Sequence, residues 1–234
     1  MAVYDLEEQE QLDELKTWWK QYGNLVTGIL LAVAVASAGW QGWNWWQGNQ
    51  TAQASAVFGA LQQAAAQKDA KRSRELAGEL IDKYSATAYA GMGALLAAHV
   101  QVAAGDSKNA RVQLVWAAES AKDPGLRDLA RLRLATVLLD DKAYDEAIKQ
   151  LSAEPSASFA PRFAELRGDV FAAQGKATEA KAAYDVALAK IDTQIKAEKS
   201  GEQKSEEKKL EEPSSRAAYR DLVQVKRDAS GVAK

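Results

Sequence analysis

The chain has 234 residues, 30 basic and 32 acidic side chains, a formal net charge of −2, one histidine and no cysteine. Such a balance gives no electrostatic footprint for nucleic acid. A lone histidine, no thiol and no Gly-rich phosphate loop leave no way to assemble a catalytic triad or a clustered zinc site, so the expectation is a binding protein, not an enzyme, with no cofactor and no metal.

Residues 1–23 read as an amphipathic leader. Leu12, Leu15, Trp19 and Tyr22 recur at helical spacing on one face, and the acidic side chains gather at the amino end, where they complement the helix dipole. Gly23-Asn24 is expected to interrupt this helix. The face is either a solvated lead-in or a contact surface for a partner.

Residues 24–46 read as a transmembrane helix. From Leu25 to Trp46 no residue is charged, and at about 1.5 Å per residue the run spans roughly 33 Å against a hydrocarbon core of about 30 Å. Trp18, Trp19 and Tyr22 lie on one side of it and Trp40, Trp43, Trp45 and Trp46 on the other, which takes six of the seven tryptophans. Aromatic rings with a polar edge are favoured at headgroup depth, so these are candidate membrane-interface anchors. A buried core helix would not carry such a girdle at both ends. A cleaved signal peptide, with Ala36-Ser37-Ala38 as its site, would have a long acidic leader where a short basic one is expected.

Lys16 and Lys20 flank the amino side, whereas no basic residue follows the span until Lys68. The positive-inside rule then puts the amino end in the cytoplasm and the rest beyond the membrane, which in a Gram-negative bacterium is the periplasm.

Residues 51–195 alternate helical segments with short breaks. Three pairs turn at Gly105-Asp106, at Asp140-Asp141-Lys142 and at Gln174-Gly175-Lys176. Small residues recur in the second helix of each pair: Ala110 to Ala147 is 37 residues and Ala147 to Ala180 is 33. Ala77 lies 33 before Ala110, which makes Thr51–Tyr84 a degenerate first pair. Gly168 and Ala180 allow close approach in the last pair, with Phe171 and Tyr184 filling the space between. Helix–turn–helix units near 34 residues are the mark of tetratricopeptide repeats, which stack into a solenoid. The expected fold class is therefore all-α, a single N-terminal transmembrane helix followed by a tetratricopeptide-like helical solenoid. The bulky aromatic usual early in each first helix is missing at Ala94, Arg131 and Ala164.

Residues 196–215 form a lysine- and glutamate-rich linker or insert, and residues 216–234 supply a last short helix and tail. Tyr219, Leu222, Val223 and Lys226 share a face of that helix, suited to capping the open end of the solenoid. Within the repeats, Ala94, Ala97, Ala98 and Gln101 are expected to pack on the paired helix. Met92, Leu95, His99 and Val102 form the adjacent face, continued by Leu129, Leu132, Thr136 and Leu139 in the next repeat. Met92, Leu95, His99, Val102, Leu132 and Leu139 are thus a candidate strip for a helix or an unfolded segment, unless neighbouring helices already cover it.

The leader Glu7-Glu8-Gln9-Glu10-Gln11-Leu12 with Leu15-Lys16-Thr17-Trp18-Trp19-Lys20-Gln21-Tyr22-Gly23, the single span directly behind it, the tetratricopeptide-like repeats and the ending Asp221-Leu222-Val223-Gln224-Val225-Lys226 together resemble the YfgM family, the ancillary subunit of the SecYEG translocon. The resemblance covers all but the charged stretch near Lys196–Glu212. It implies a single-pass inner-membrane protein with a periplasmic repeat domain, associated with SecYEG and with PpiD, a membrane-anchored periplasmic chaperone of the parvulin class. The implied role is assisting the folding or hand-over of newly exported, unfolded proteins. A membrane-tethered scaffold for another envelope complex, in wall synthesis or division, is the alternative.

Overall fold

The computed structural model describes residues 4–202 and 215–230, and side-chain surroundings for 15–197 and 215–230. Among the described residues there are nine helices and no strand: α1 (Tyr4–Ala66), α2 (Ala70–Tyr84), α3 (Ala88–Ala103), α4 (Ser107–Ser120), α5 (Pro124–Asp140), α6 (Tyr144–Leu151), α7 (Ala160–Ala173), α8 (Ala177–Glu202) and α9 (Ser215–Ser230). The expected all-α repeat architecture is what is found. The chain divides into two compact units between Ala52 and Gln53, and each is described by itself. Of the charged linker expected over 196–215, the first part continues α8 to Glu202, while 203–214 and the tail 231–234 lie outside the described residues.

In the first unit, α1 runs through Gly23-Asn24 without the expected interruption. Two local contacts support it there. The Trp19 indole lies over Gly23, where an added Cβ would meet the ring at 3.2 Å. The Thr27 hydroxyl donates to the Gly23 carbonyl at 2.8 Å, so this polar side chain is satisfied on its own helix.

In the second unit, α1 from Gln53 onward pairs with α2, and α3 with α4, α5 with α6, and α7 with α8. One turn serves all four pairs. Its residue at positive φ is Lys68 (57°), Gly105 (78°), Lys142 (60°) or Gly175 (73°). The next N–H in each turn reaches back five residues: Asp69 to Ala64 O, 3.0 Å; Asp106 to Gln101 O, 2.8 Å; Ala143 to Leu138 O, 2.8 Å; Lys176 to Phe171 O, 2.9 Å. This is the Schellman closure, which satisfies a carbonyl left free at a helix end and requires the left-handed residue. Asp69, Asp106 and Asp123 then cap α2, α4 and α5, each carboxylate accepting the N–H three residues on.

The turns set the register of the repeat. Four residues after the closing N–H comes a fully buried small side chain: Ser73, Ala110, Ala147 or Ala180. The first-repeat equivalent of Ala110 is thus Ser73, not Ala77, and the spacings are 37, 37 and 33. Ala77 corresponds instead to Leu114, Leu151 and Tyr184. Seven residues before each left-handed position stand Leu61, Ala98, Ala135 and Gly168. In three repeats a small residue on the first helix corresponds to a large one on the second; in the first repeat the sizes are exchanged, Leu61 with Ala77. All these side chains are buried.

Stacking joins the pairs. Phe58 and Tyr89 rings lie 5.5 Å apart between α1 and α3, the Arg133 guanidinium donates to the Leu95 carbonyl at 3.2 Å between α5 and α3, and Arg111 reaches Glu146 at 2.8 Å between α4 and α6. α3 is apolar around most of its surface and is buried on most sides, as such a helix must be. α6 is short, eight residues. The loop after it is anchored by the buried Asp128 carboxylate, which accepts from the Ser156 N–H at 2.9 Å and the Ser156 hydroxyl at 2.8 Å.

Candidate functional site

The first unit carries the span. Among the described residues one helical stretch is long and apolar enough to cross a membrane, and only 6% of its apolar window is buried in the protein, where a core helix of a soluble domain would be mostly covered. Leu25, Ile29, Leu30, Leu31, Val33 and Val35 all stand exposed. At the amino side Trp18 contacts Tyr22 at 5.8 Å between centroids and Trp19 at 6.4 Å. At the carboxyl side Trp43 contacts Trp46 at 5.3 Å, and Trp40 and Trp45 point outward. Every expected interface aromatic is exposed. The Leu12 side chain of the leader face lies outside the described side chains, while Leu15, Trp19 and Tyr22 are exposed.

The candidate strip in the second unit divides. Ala94, Ala97, Ala98 and Gln101 are buried as expected. Leu95, however, is only 5% exposed and belongs to the main core, where the next pair of helices closes over it. It is unavailable to a partner. Leu129, Leu132 and Leu139 pack against the same core and are half-buried. What remains open is Met92 at 36% and Val102 at 42% exposure, with His99 exposed between them on α3.

Sequence reasoning missed two features. On α4, Val112 and Val115 are exposed and floor a shallow hollow of about 580 Å³ with Ser107, Lys108, Arg111 and Asp141. Their spacing of three, opposite the buried Ala110, Leu114 and Ala117, was the available signal. The second feature is the pair of acids on α7, Glu165 and Asp169, that receive α9, a helix expected from sequence only as a cap. Val223 is fully buried against Ala164, Tyr184, Ala187, Leu188 and Ile191. Below it, Glu165 of α7 is buried and accepts from the Tyr219 hydroxyl at 2.5 Å, from Lys226 Nζ at 2.8 Å and from Arg162 at 3.3 Å. Asp169 accepts from the Tyr184 hydroxyl at 2.8 Å and from Lys226 at 2.8 Å. The Arg162 guanidinium stacks over the Tyr219 ring at 4.0 Å. Of the face expected for this helix, Tyr219, Val223 and Lys226 point inward, whereas Leu222 is exposed because the helix sits rotated toward its cationic edge.

Burial, followed by hydrogen bonding to Asp169 and Glu165 respectively, pushes the Tyr184 and Tyr219 hydroxyls well above the ordinary tyrosine range. For Lys226 burial opposes the charge, but the bonds to Asp169 and Glu165 outweigh it and the ammonium is stabilised. Among the described residues, no group of three or more His, Cys, Asp or Glu is placed to hold a metal ion. The arrangement can bind and hold.

Paired helices joined by one repeated turn, each pair covering the apolar face of the next, define a tetratricopeptide-type protein carried behind an exposed apolar helix. The tetratricopeptide repeat-like domain family matches residues 16–212, which takes in the span as well as the repeats. The chain is 34% identical over 193 residues to an ancillary SecYEG translocon subunit of Neisseria gonorrhoeae, covering 82% of this chain and 91% of that one. It is 30% identical over 188 residues to a protein of the same name from Haemophilus influenzae, covering 79% and 90%, and 26% identical over 190 residues to the one from Escherichia coli K12, covering 80% and 90%. The chain belongs to the family of ancillary SecYEG translocon subunits, as its leader and ending suggested.

Proposed function

We propose that this chain is a membrane-anchored accessory of the SecYEG translocon that assists the hand-over of exported proteins to a periplasmic chaperone. The observation that carries the reading is the match to relatives named for that channel over some nine-tenths of their length. The exposed span supports an inner-membrane, single-pass anchor. Lys16 and Lys20 on its amino side support a cytoplasmic amino end and a periplasmic repeat unit. Inner membrane and periplasm are the compartments in which a channel accessory meets emerging chains. The open patch of Met92, His99 and Val102 supports contact with an unfolded segment or with the partner chaperone, for which PpiD is the expected candidate. The tetratricopeptide-like fold and the name of the relatives support a non-enzymatic, adaptor role.

Purification of the tagged full chain in mild detergent tests this. Recovery of channel subunits together with a parvulin-class chaperone is the expected result. Recovery of wall-synthesis or division proteins without the channel would assign the chain to another envelope complex. An alkaline phosphatase fused after Lys234 should be active, and a reporter active only in the cytoplasm should not; the reverse pattern would overturn the orientation and the periplasmic role with it.

A further inference from the structure

Helix α9 is held differently from the helices it covers. It buries one side chain fully, Val223, whereas α7 buries Phe163, Ala164 and Val170 among others. Its remaining attachments are mostly charges: Arg220 Nε to Asp192 at 2.7 Å, Arg227 Nε to Asp185 at 2.7 Å, and Lys226 Nζ bridging Glu165 and Asp169 at 2.8 Å to each. The Asp192 and Asp185 pairs are partly open to solvent, and ion pairs that water reaches are weakened by salt. The carboxylates beneath do not depend on α9 alone. Glu165 also accepts from Arg162 at 3.3 Å and Asp169 from the Tyr184 hydroxyl at 2.8 Å, bonds that lie within α7 and α8, so each acid has a partner that does not belong to α9.

We propose that α9 is a releasable strap, and that the groove it covers on α7 and α8 is a docking site for a basic amphipathic helix of a partner protein. The chemistry of the occupant is read from the helix already seated there. It presents an apolar β-branched residue at its centre (Val223), an aromatic hydroxyl four residues before (Tyr219), and cations three before (Arg220) and three and four after (Lys226, Arg227). The groove answers with the apolar floor of Ala164, Ala187, Leu188 and Ile191 and a rim of Glu165, Asp169, Asp185 and Asp192. Helix-in-groove recognition with complementary charge is a general mode, and a cis segment of the same character sets the threshold a competitor must exceed. The inference stands whether or not the translocon supplies the partner.

Two experiments on the full chain in detergent micelles test it. In amide hydrogen exchange, α9 should exchange at least tenfold faster than α7, and faster again in 1 M salt; exchange of α9 in step with α7 at both salt concentrations would make it an integral part of the core and overturn the proposal. The second uses a fluorescent synthetic peptide of residues 215–230 and a version with Arg220, Lys226 and Arg227 each replaced by glutamate. The first peptide should bind the Lys226→Glu chain at least tenfold more tightly than the native chain, and the acidic version should bind neither. Equal binding of both peptides, or no binding to a Lys226→Glu chain that keeps its helical spectrum, would overturn the proposal. If that variant loses its helical spectrum, the exchange measurement on the native chain decides. A concentration-dependent dimer of the native chain that the peptide dissolves would give the groove to α9 of a second copy and overturn the partner reading.

Discussion

Gly168 and Tyr184 share one space: a Cβ placed on Gly168 would lie 2.5 Å from Cε1 of the Tyr184 ring and 2.6 Å from Cδ1. The ring has little freedom to retreat, because its hydroxyl is bonded to Asp169 at 2.8 Å and the side chain is buried. Ordinarily an alanine in a helix interior is favoured over glycine by about 0.5–1 kcal/mol. Here overlap reverses the sign, so Gly168→Ala should cost about 1–3 kcal/mol. Gly78 of α2, where an added Cβ meets nothing within 4 Å, is the control, and Gly78→Ala should raise the melting temperature of the full chain while Gly168→Ala lowers it.

The exchange of Leu61 with Ala77 at the same two repeat positions makes a second prediction. Both side chains are fully buried in the first-repeat core. Leu61→Ala alone should cost about 2–5 kcal/mol through the cavity it leaves. Ala77→Leu alone overpacks the same region and should cost about 1–3 kcal/mol. Together they recreate the arrangement of Ala98 with Leu114, so the double variant should be more stable than the sum of the two losses. Thermal denaturation of the four chains measures that coupling, and simple additivity would mean the two positions do not face each other.

The seat of α9 sets a pH dependence. Tyr184, Tyr219 and Lys226 each have an ionisation raised above its ordinary value near 10. A raised value means that the stabilisation is complete below the ordinary value and is lost as pH rises through the higher, folded one. Stability should therefore stay level in these groups through neutral pH and fall above about pH 10. Tyr219→Phe should remove part of that fall and cost about 0.5–1.5 kcal/mol at pH 7, since Glu165 still keeps Arg162 and Lys226. Melting curves at neutral and alkaline pH compare the two chains.

How much of this was legible depended on whether the signal was local. The three later pairs announced themselves through Ala110, Ala147 and Ala180, because a small residue on the second helix recurs wherever a Schellman turn precedes it. The first pair misled by four residues, since its size pattern is exchanged and the buried small residue is Ser73, whose hydroxyl has no hydrogen-bond partner. Lys68 and Lys142 at positive φ carried no glycine to mark their turns. Glu165 and Asp128 could not be found at all. An acid on a helix reads as solvated, and their partners Tyr219 and Ser156 lie 54 and 28 residues away in sequence. Gly23-Asn24 looked like a break, because nothing in the local propensities includes an indole folded over the glycine.

The division of the candidate strip gives the last prediction, and it separates core from surface with single substitutions on one helix. Leu95 is buried in the main core, so Leu95→Asp both opens a cavity and buries an unpaired charge. A cost of about 3–5 kcal/mol is expected, enough to exhaust much of the stability of a domain this size. Met92 and Val102 are exposed on the same helix, so Met92→Asp and Val102→Asp should change stability by no more than about 0.5 kcal/mol. If their patch is where a partner rests, these two variants should recover that partner at least tenfold less in detergent purification while melting like the native chain. Undiminished recovery from both would remove α3 as the contact. The exposed Val112 and Val115 of α4, flanked by Lys108 and Arg111, would then be the next apolar surface to substitute.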